Sequence, residues 1–142
     1  MYLLDTNICI YIMKGQFPCL NEHLFSLDPA DVAISSITVF ELEYGAFKSN
    51  WGEKTRTNLK LFLAPFQILP FDGNDAVTAG YIRSFLVKQG LTIGPYDVQL
   101  AGQALARKLT FVTHNTGEFR RVPQLKTEDW VLQLRNNIVM ET

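Results

Sequence analysis

The sequence predicts an α/β protein, a three-layer α/β/α sandwich around a short-stranded parallel sheet. Two observations carry that prediction. Short apolar runs (Tyr2-Leu3-Leu4, Val32-Ala33-Ile34, Gln67-Ile68-Leu69 and Leu109 to Thr113) alternate with helix-periodic segments, which is the pattern of βαβ units. The crossovers of such units are right-handed and lay helices on both faces of the sheet. The length, 142 residues, fits one domain with a real core.

Taken in order, Leu3-Leu4 runs straight into Asp5, a buried strand ending on a carboxylate. A short helix follows from Asn7 to Lys14, with Gly15 as its stop. Pro18 opens a second helix, about Cys19 to Leu27. Asp28 to Asp31 reads as a turn. After Val32-Ala33-Ile34, Ser35-Ser36 caps a helix from Ile37 to about Lys48. Glu53 to Phe66 is amphipathic and ends or kinks at Pro65. Asn74 or Asp75 starts a helix to about Gln89, with Val77, Tyr81, Phe85 and Leu86 as its periodic face. Pro95 opens the next, to Lys108. A last strand is expected near Trp130 to Leu132, and Asn136 to Thr142 shows no usable pattern.

Composition narrows the class. Hydrophobic residues at 47% and charged residues at 19% fit an ordinary globular protein. No apolar run approaches the roughly 20 residues that span a bilayer, and the start is a strand pattern and not a signal peptide. A cytoplasmic protein is expected. Cys9 and Cys19 read as reduced thiols without metal or catalytic partners. A net charge of -1 argues against a uniformly basic nucleic-acid binder. It is compatible with a nuclease that has an acidic site and local basic patches, for which Lys54, Arg56, Lys60, Arg107, Lys108, Arg120 and Arg121 are candidates.

Four acids stand out: Asp5, Glu41, Asp97 and Glu118. Asp5 lies at a strand end, where open α/β sheets bind their ligands. Glu41 shares a helix ridge with Ile37 and Gly45, and a carboxylate there is costly unless paired or metal-bound. Asp97 is in the first turn of a helix, on the face of Leu100, Ala101 and Ala104. Glu118 follows the strand and loop Phe111 to Asn115. Each alone has a plain alternative, as a helix cap or a solvated surface acid. Together they predict like charges on one rim, relieved by a hard divalent cation. His23 and His114 offer no competing constellation.

These residues resemble those of PIN-domain ribonucleases, specifically VapC-type toxins of bacterial type II toxin-antitoxin modules, of the enteric kind. The anchors are Leu3-Leu4-Asp5-Thr6-Asn7, Ser35-Ser36-Ile37-Thr38 leading to Glu41-Leu42 with Tyr44-Gly45, Ile93-Gly94-Pro95-Tyr96-Asp97, and Val112 to Thr116 through Glu118-Phe119. Each is weak alone; in this order and spacing they are specific. The resemblance implies a PIN domain over 1–133 with a tail at 134–142. It implies Asp5, Glu41, Asp97 and Glu118 as the catalytic acids, with Asp5 and Asp97 binding Mg²⁺, or Mn²⁺ as a substitute. Many PIN domains carry an aspartate where this chain has Asn115, which leaves Glu118 as the fourth acid. Thr6, Asn7 and Thr113 are expected to orient the carboxylates, and Asn115 to hold a metal water. Also implied are cleavage of RNA, with tRNA the favoured substrate, a homodimer, a cognate VapB-type antitoxin, and operator DNA reached only through that antitoxin.

Three other readings compete. A haloacid-dehalogenase-type phosphatase needs an acid two residues after Asp5, where this chain has Asn7. A receiver domain needs paired acids that are absent. A catalytically silent PIN-like binding module is the serious rival, and the presence of all four acids argues against it.

Overall fold

The computed structural model describes residues 1–131. Its elements are β1 (Tyr2–Leu4), α1 (Thr6–Lys14), α2 (Pro18–Ser26), a 3-10 turn (Pro29–Asp31), β2 (Val32–Ser35), α3 (Ser36–Lys48), α4 (Gly52–Leu63), β3 (Gln67–Leu69), α5 (Gly73–Lys88), α6 (Pro95–Ala106), β4 (Thr110–Val112), α7 (Thr116–Phe119) and β5 (Thr127–Glu128). The five strands form one sheet in the order β3-β2-β1-β4-β5, and every pairing is parallel.

That order sets where the site falls. From β1 the chain steps one way to β2 and β3, then returns to the other side of β1 for β4 and β5. The reversal lies between β1 and β4. Connections leave in opposite directions there and open a crevice at the carboxyl ends of the two strands. Leu4 pairs with Val112 in the register, so Asp5 and Thr113 emerge side by side at its mouth.

The side-chain period of two divides the strands between two cores. Leu4, Val32, Ile34 and Val112 pack with Ile8, Ile12, Leu20, Leu24 and Leu59 of α1, α2 and α4. Leu3, Ala33 and Phe111 pack with Ile82, Leu86, Leu100 and Phe119 of α5, α6 and α7. Leu42 of α3 joins the first core and Ile37 the second, so α3 closes the edge between them. On the second face α5 and α6 approach closely. A Cβ on Gly102 would lie 2.6 Å from Cα and Cβ of Ala79, and only glycine allows that contact.

Several expectations shift. Asp72, not Asn74 or Asp75, caps α5, through a capping box in which Asp75 returns the bond. The buried face of α5 is Asp75, Ala79, Ile82 and Leu86; Val77 and Tyr81 are 74% and 66% exposed. Their spacing is helical, but the close contact at Ala79 selects the other stripe. The last described strand is Thr127–Glu128, while Trp130 and Val131 are already helical. Trp130 stays in the core, edge-on to Tyr2 and His23. Leu132 and the tail at 134–142 lie outside the described residues. Among those described, no helix is long and apolar enough to cross a membrane.

Candidate active site

Asp5 is 3% exposed. Sharing the strand parity of Leu3, it faces the α6 side, as Thr113 does with Phe111. It occupies the N-cap position of α1, yet its side chain makes no capping hydrogen bond. Capping therefore does not explain this carboxylate. Thr113 Oγ1 donates to Asp5 Oδ2 at 2.8 Å and accepts the Asn115 backbone N–H at 3.0 Å, so the hydroxyl has one orientation.

Glu41 reaches the same crevice from α3. Thr6 Oγ1 donates to Glu41 Oε1 at 2.8 Å and lies 3.0 Å from Thr38 Oγ1. With the Thr6 proton given to Glu41, Thr38 must be the donor in that pair. Asp97 enters from the first turn of α6. Glu118 sits in α7 and accepts twice, from the Gly94 backbone N–H at 3.2 Å and from Asn115 Nδ2. Of the three residues expected to orient the acids, Thr6 and Thr113 hydrogen-bond to them, and Asn115, expected to hold a metal water, donates to Glu118. Asn7 is exposed, and no hydrogen bond joins its side chain to the acids.

Two residues that the sequence reading named only as anchors of the resemblance, without a role, support the acids. Thr38 is fully buried, and its signal was available, since it precedes Glu41 by three residues on one helix face. Gly94 is the other. Its backbone angles, φ -56 and ψ 152, suit any residue, so conformational freedom is not its role. A Cβ there would meet Asp97 Oδ2 at 3.1 Å. Gly94 makes room for the Asp97 carboxylate while its N–H holds Glu118.

Asp5 and Asp97 each feel the charges of neighbouring acids. Burial pushes the Asp5 carboxyl up to about 6, against the Thr113 hydrogen bond, and the charges of Glu41 and Glu118 push the same way. Burial likewise raises Asp97 to about 6, aided by Asp5, Glu118 and Glu41. Burial and the Asp5 charge push the Cys9 thiol up, so it stays a neutral core side chain. No lysine or arginine pairs with any of the four acids among the described residues. Of the basic candidates, Arg56 is held by Glu43, Arg107 by Asp75 and Arg121 by the Thr92 carbonyl; Lys54, Lys60, Lys108 and Arg120 are exposed.

The donor set is all oxygen, anionic and without a compensating cation, which suits a hard divalent ion. Among the described residues, no three His, Cys, Asp or Glu side chains are gathered into a ready-made metal cage. Burial and neighbouring like charges disfavour the ionised forms of Asp5 and Asp97.

Comparison with known proteins identifies the family. The PIN domain family matches residues 2–125. The chain is 42% identical over 129 residues to the tRNA(fMet)-specific endonuclease VapC of Shigella flexneri, covering 91% of this chain and 97% of the relative. It is 40% identical over 130 residues to Ribonuclease VapC2 of Haemophilus influenzae, covering 92% and 98%. Among solved structures, DNA-bound VapBC of Salmonella typhimurium matches with a TM-score of 0.87 at 40% identity, covering 91% of this chain and 97% of that one. VapBC2 of Rickettsia felis, bound to a promoter DNA fragment, gives 0.86 at 37%, covering 91% and 98%. A continuous match from β1 to the loop before β5, at this identity, makes the chain a PIN-domain protein of the VapC family.

Proposed function

We propose that this chain is the toxin of a toxin-antitoxin module and acts as a metal-dependent endoribonuclease on tRNA. The observation that carries the reading is the convergence of Asp5, Glu41, Asp97 and Glu118, from four separate elements, on the crevice between β1 and β4. The Shigella flexneri relative is named for tRNA(fMet), which supports the substrate class. Asp5 and Asp97 would hold Mg²⁺ or Mn²⁺. When bound, that cation lowers the pKa of the attacking water and offsets charge building on the phosphate. The chain's own residues do the positioning. Thr113 fixes Asp5, Thr6 and Thr38 fix Glu41, and Asn115 with the Gly94 N–H fixes Glu118 at the opposite wall.

The test is cleavage of a tRNA(fMet) transcript with added Mg²⁺ or Mn²⁺. Asp5→Asn, Glu41→Gln and Asp97→Asn should each lower the rate by orders of magnitude with the fold intact by circular dichroism. Wild-type activity in any of them removes that residue from the site. Full activity in excess chelator removes the metal.

The VapBC complexes among the structural relatives support a cognate VapB-type antitoxin, with operator DNA bound through it. Of the apolar side chains of the early helices that its tail could cover, Phe47 is 69% exposed. Ile12 is buried, and Tyr11 packs against Phe17 and His114. A groove of about 480 Å³ lies between α1, α3 and α4, lined by Ile10, Met13, Leu42, Gly45 and Leu59 and reaching Glu41. An antitoxin tail laid there brings an arginine to the carboxylates, where its planar fork pairs bidentately. Substituting that arginine by alanine should weaken inhibition while the complex persists on its apolar contacts. Equal inhibition by both tails would mean steric cover alone.

A further inference from the structure

Three aromatic side chains stand exposed beside the acids and are not spoken for by either core. Phe40 is 54%, Tyr44 61% and Tyr96 41% exposed. They come from two elements: Phe40 and Tyr44 from successive turns of α3, and Tyr96 from the start of α6. The Phe40 and Tyr96 rings are 5.5 Å apart between centroids and tilted by 56°. They wall a cleft of about 280 Å³ that also includes Tyr44 and Glu41.

The placement is informative. Phe40 directly precedes Glu41, and Tyr96 directly precedes Asp97. Because Glu41 itself lines the cleft, a phosphate held beside that acid has an adjoining nucleotide within reach of the rings. Apolar rings left in water at such a position invite a flat partner. Unpaired nucleobases stack on aromatic faces, and single-stranded RNA is commonly read that way. Lys48 Nζ lies 5.7 Å from the Tyr44 ring centroid, where it can meet a phosphate of the same strand. A second protein chain fits less well, because the cleft keeps the Glu41 carboxylate in its wall, and charged groups are depleted from the centres of protein interfaces.

We propose that Phe40, Tyr44 and Tyr96 form a stacking subsite for one unpaired base of the RNA, flanking the scissile phosphate. The proposal rests on the nuclease reading, which it deepens by requiring a single-stranded stretch at the cleavage point.

The test uses a stem-loop RNA with 2-aminopurine placed at successive loop positions in turn. It is titrated into the Asp5→Asn protein, so that binding is read without cleavage. One loop position should lose fluorescence on binding. Tyr96→Leu and Phe40→Leu should each abolish that quench and weaken binding about ten-fold, within the range of one lost base stack. Tyr96→Trp should restore both. In the active protein, Tyr96→Leu should raise KM about as much and leave kcat within a few-fold. Circular dichroism melts of each variant confirm an unchanged fold. Quench and affinity unaltered in both leucine variants would overturn the subsite while the nuclease reading stood. Quenching by a wild-type protein that never cleaves would do the reverse. If the leucine variants changed the oligomeric state by light scattering and left the quench intact, the aromatics would belong to a protein interface, and the subsite would again be overturned.

Discussion

Asp5 shows how a single residue links the site to stability. Its folded pKa of about 6 lies above the unfolded value of about 3.9. Between those values the folded state binds more protons, so stability falls as pH rises. The favourable contribution is complete below about pH 4 and lost above about pH 6, and it amounts to on the order of 2–3 kcal/mol. Asp5→Asn keeps an acceptor for Thr113 and removes the charge. In chelator the variant should melt higher than wild type at neutral pH, and the gap should close towards about pH 4. Parallel pH profiles would mean that the Asp5 charge is relieved in some other way. Gly94→Ala makes the opposite trade. The new Cβ would sit 3.1 Å from Asp97 Oδ2, so the carboxylate has to give by a few tenths of an ångström. Cleavage should fall about ten-fold, because small misplacements of reacting groups are costly, while the melting temperature barely moves. A Gly94→Ala enzyme at full rate would show that Asp97 tolerates the shift.

At the scale of elements, α5 is pinned to α6 by a polar network as well as by close packing. Asp75 is fully buried, and Arg107 donates to it from Nε at 3.2 Å and from Nη2 at 2.9 Å. Gln103 and the Asp72 capping box complete its partners. Burial pushes the Asp75 carboxyl up, but the Arg107 and Asp72 bonds prevail and hold it below the usual range. Arg107→Ala strands that carboxylate and should destabilise the fold by about 3–5 kcal/mol in urea titrations. Adding Asp75→Asn should recover much of the loss, since the amide oxygen still accepts a capping bond and carries no charge. If the double variant is no better than the single one, stem packing of Arg107 outweighs the ion pair. The same helix pair explains why Val77 and Tyr81 lie outside. Ala79 and Gly102 bring the backbones so near that the larger residues cannot occupy the seam.

For the whole molecule, the crevice acts as a charge reservoir. Four carboxylates from separate parts of the chain repel one another, so a cation held among them would link metal binding to folding. Mg²⁺ at about a hundred times its Kd should add about 2.7 kcal/mol, seen as a rise of several degrees in melting temperature that chelation reverses. The variant carrying Asp5→Asn and Asp97→Asn should lose this rise. A wild-type protein indifferent to Mg²⁺ and Mn²⁺ would contradict Asp5 and Asp97 as the metal-holding pair.

The sequence by itself determined four of the five described strands, the parallel sheet and which four acids to follow. These are written locally, in apolar runs of strand length, in caps and stops such as Ser35 and Gly15, and in carboxylates at strand ends and first helical turns. Thr6 and Thr113 were legible for the same reason, as polar neighbours of Asp5 and of a strand end. What only the tertiary structure decided depends on distance between elements remote in sequence. The side of α5 that faces inward follows from its contact with α6, 23 residues on from Ala79 at Gly102. The spatial role of Gly94 appears only once Asp97 and Glu118 close over it. The aromatic cleft exists because α3 and α6 meet at one rim. Periodicity reports which residues share a face of one element. Which faces meet is set by the strand order, and no local pattern carries that.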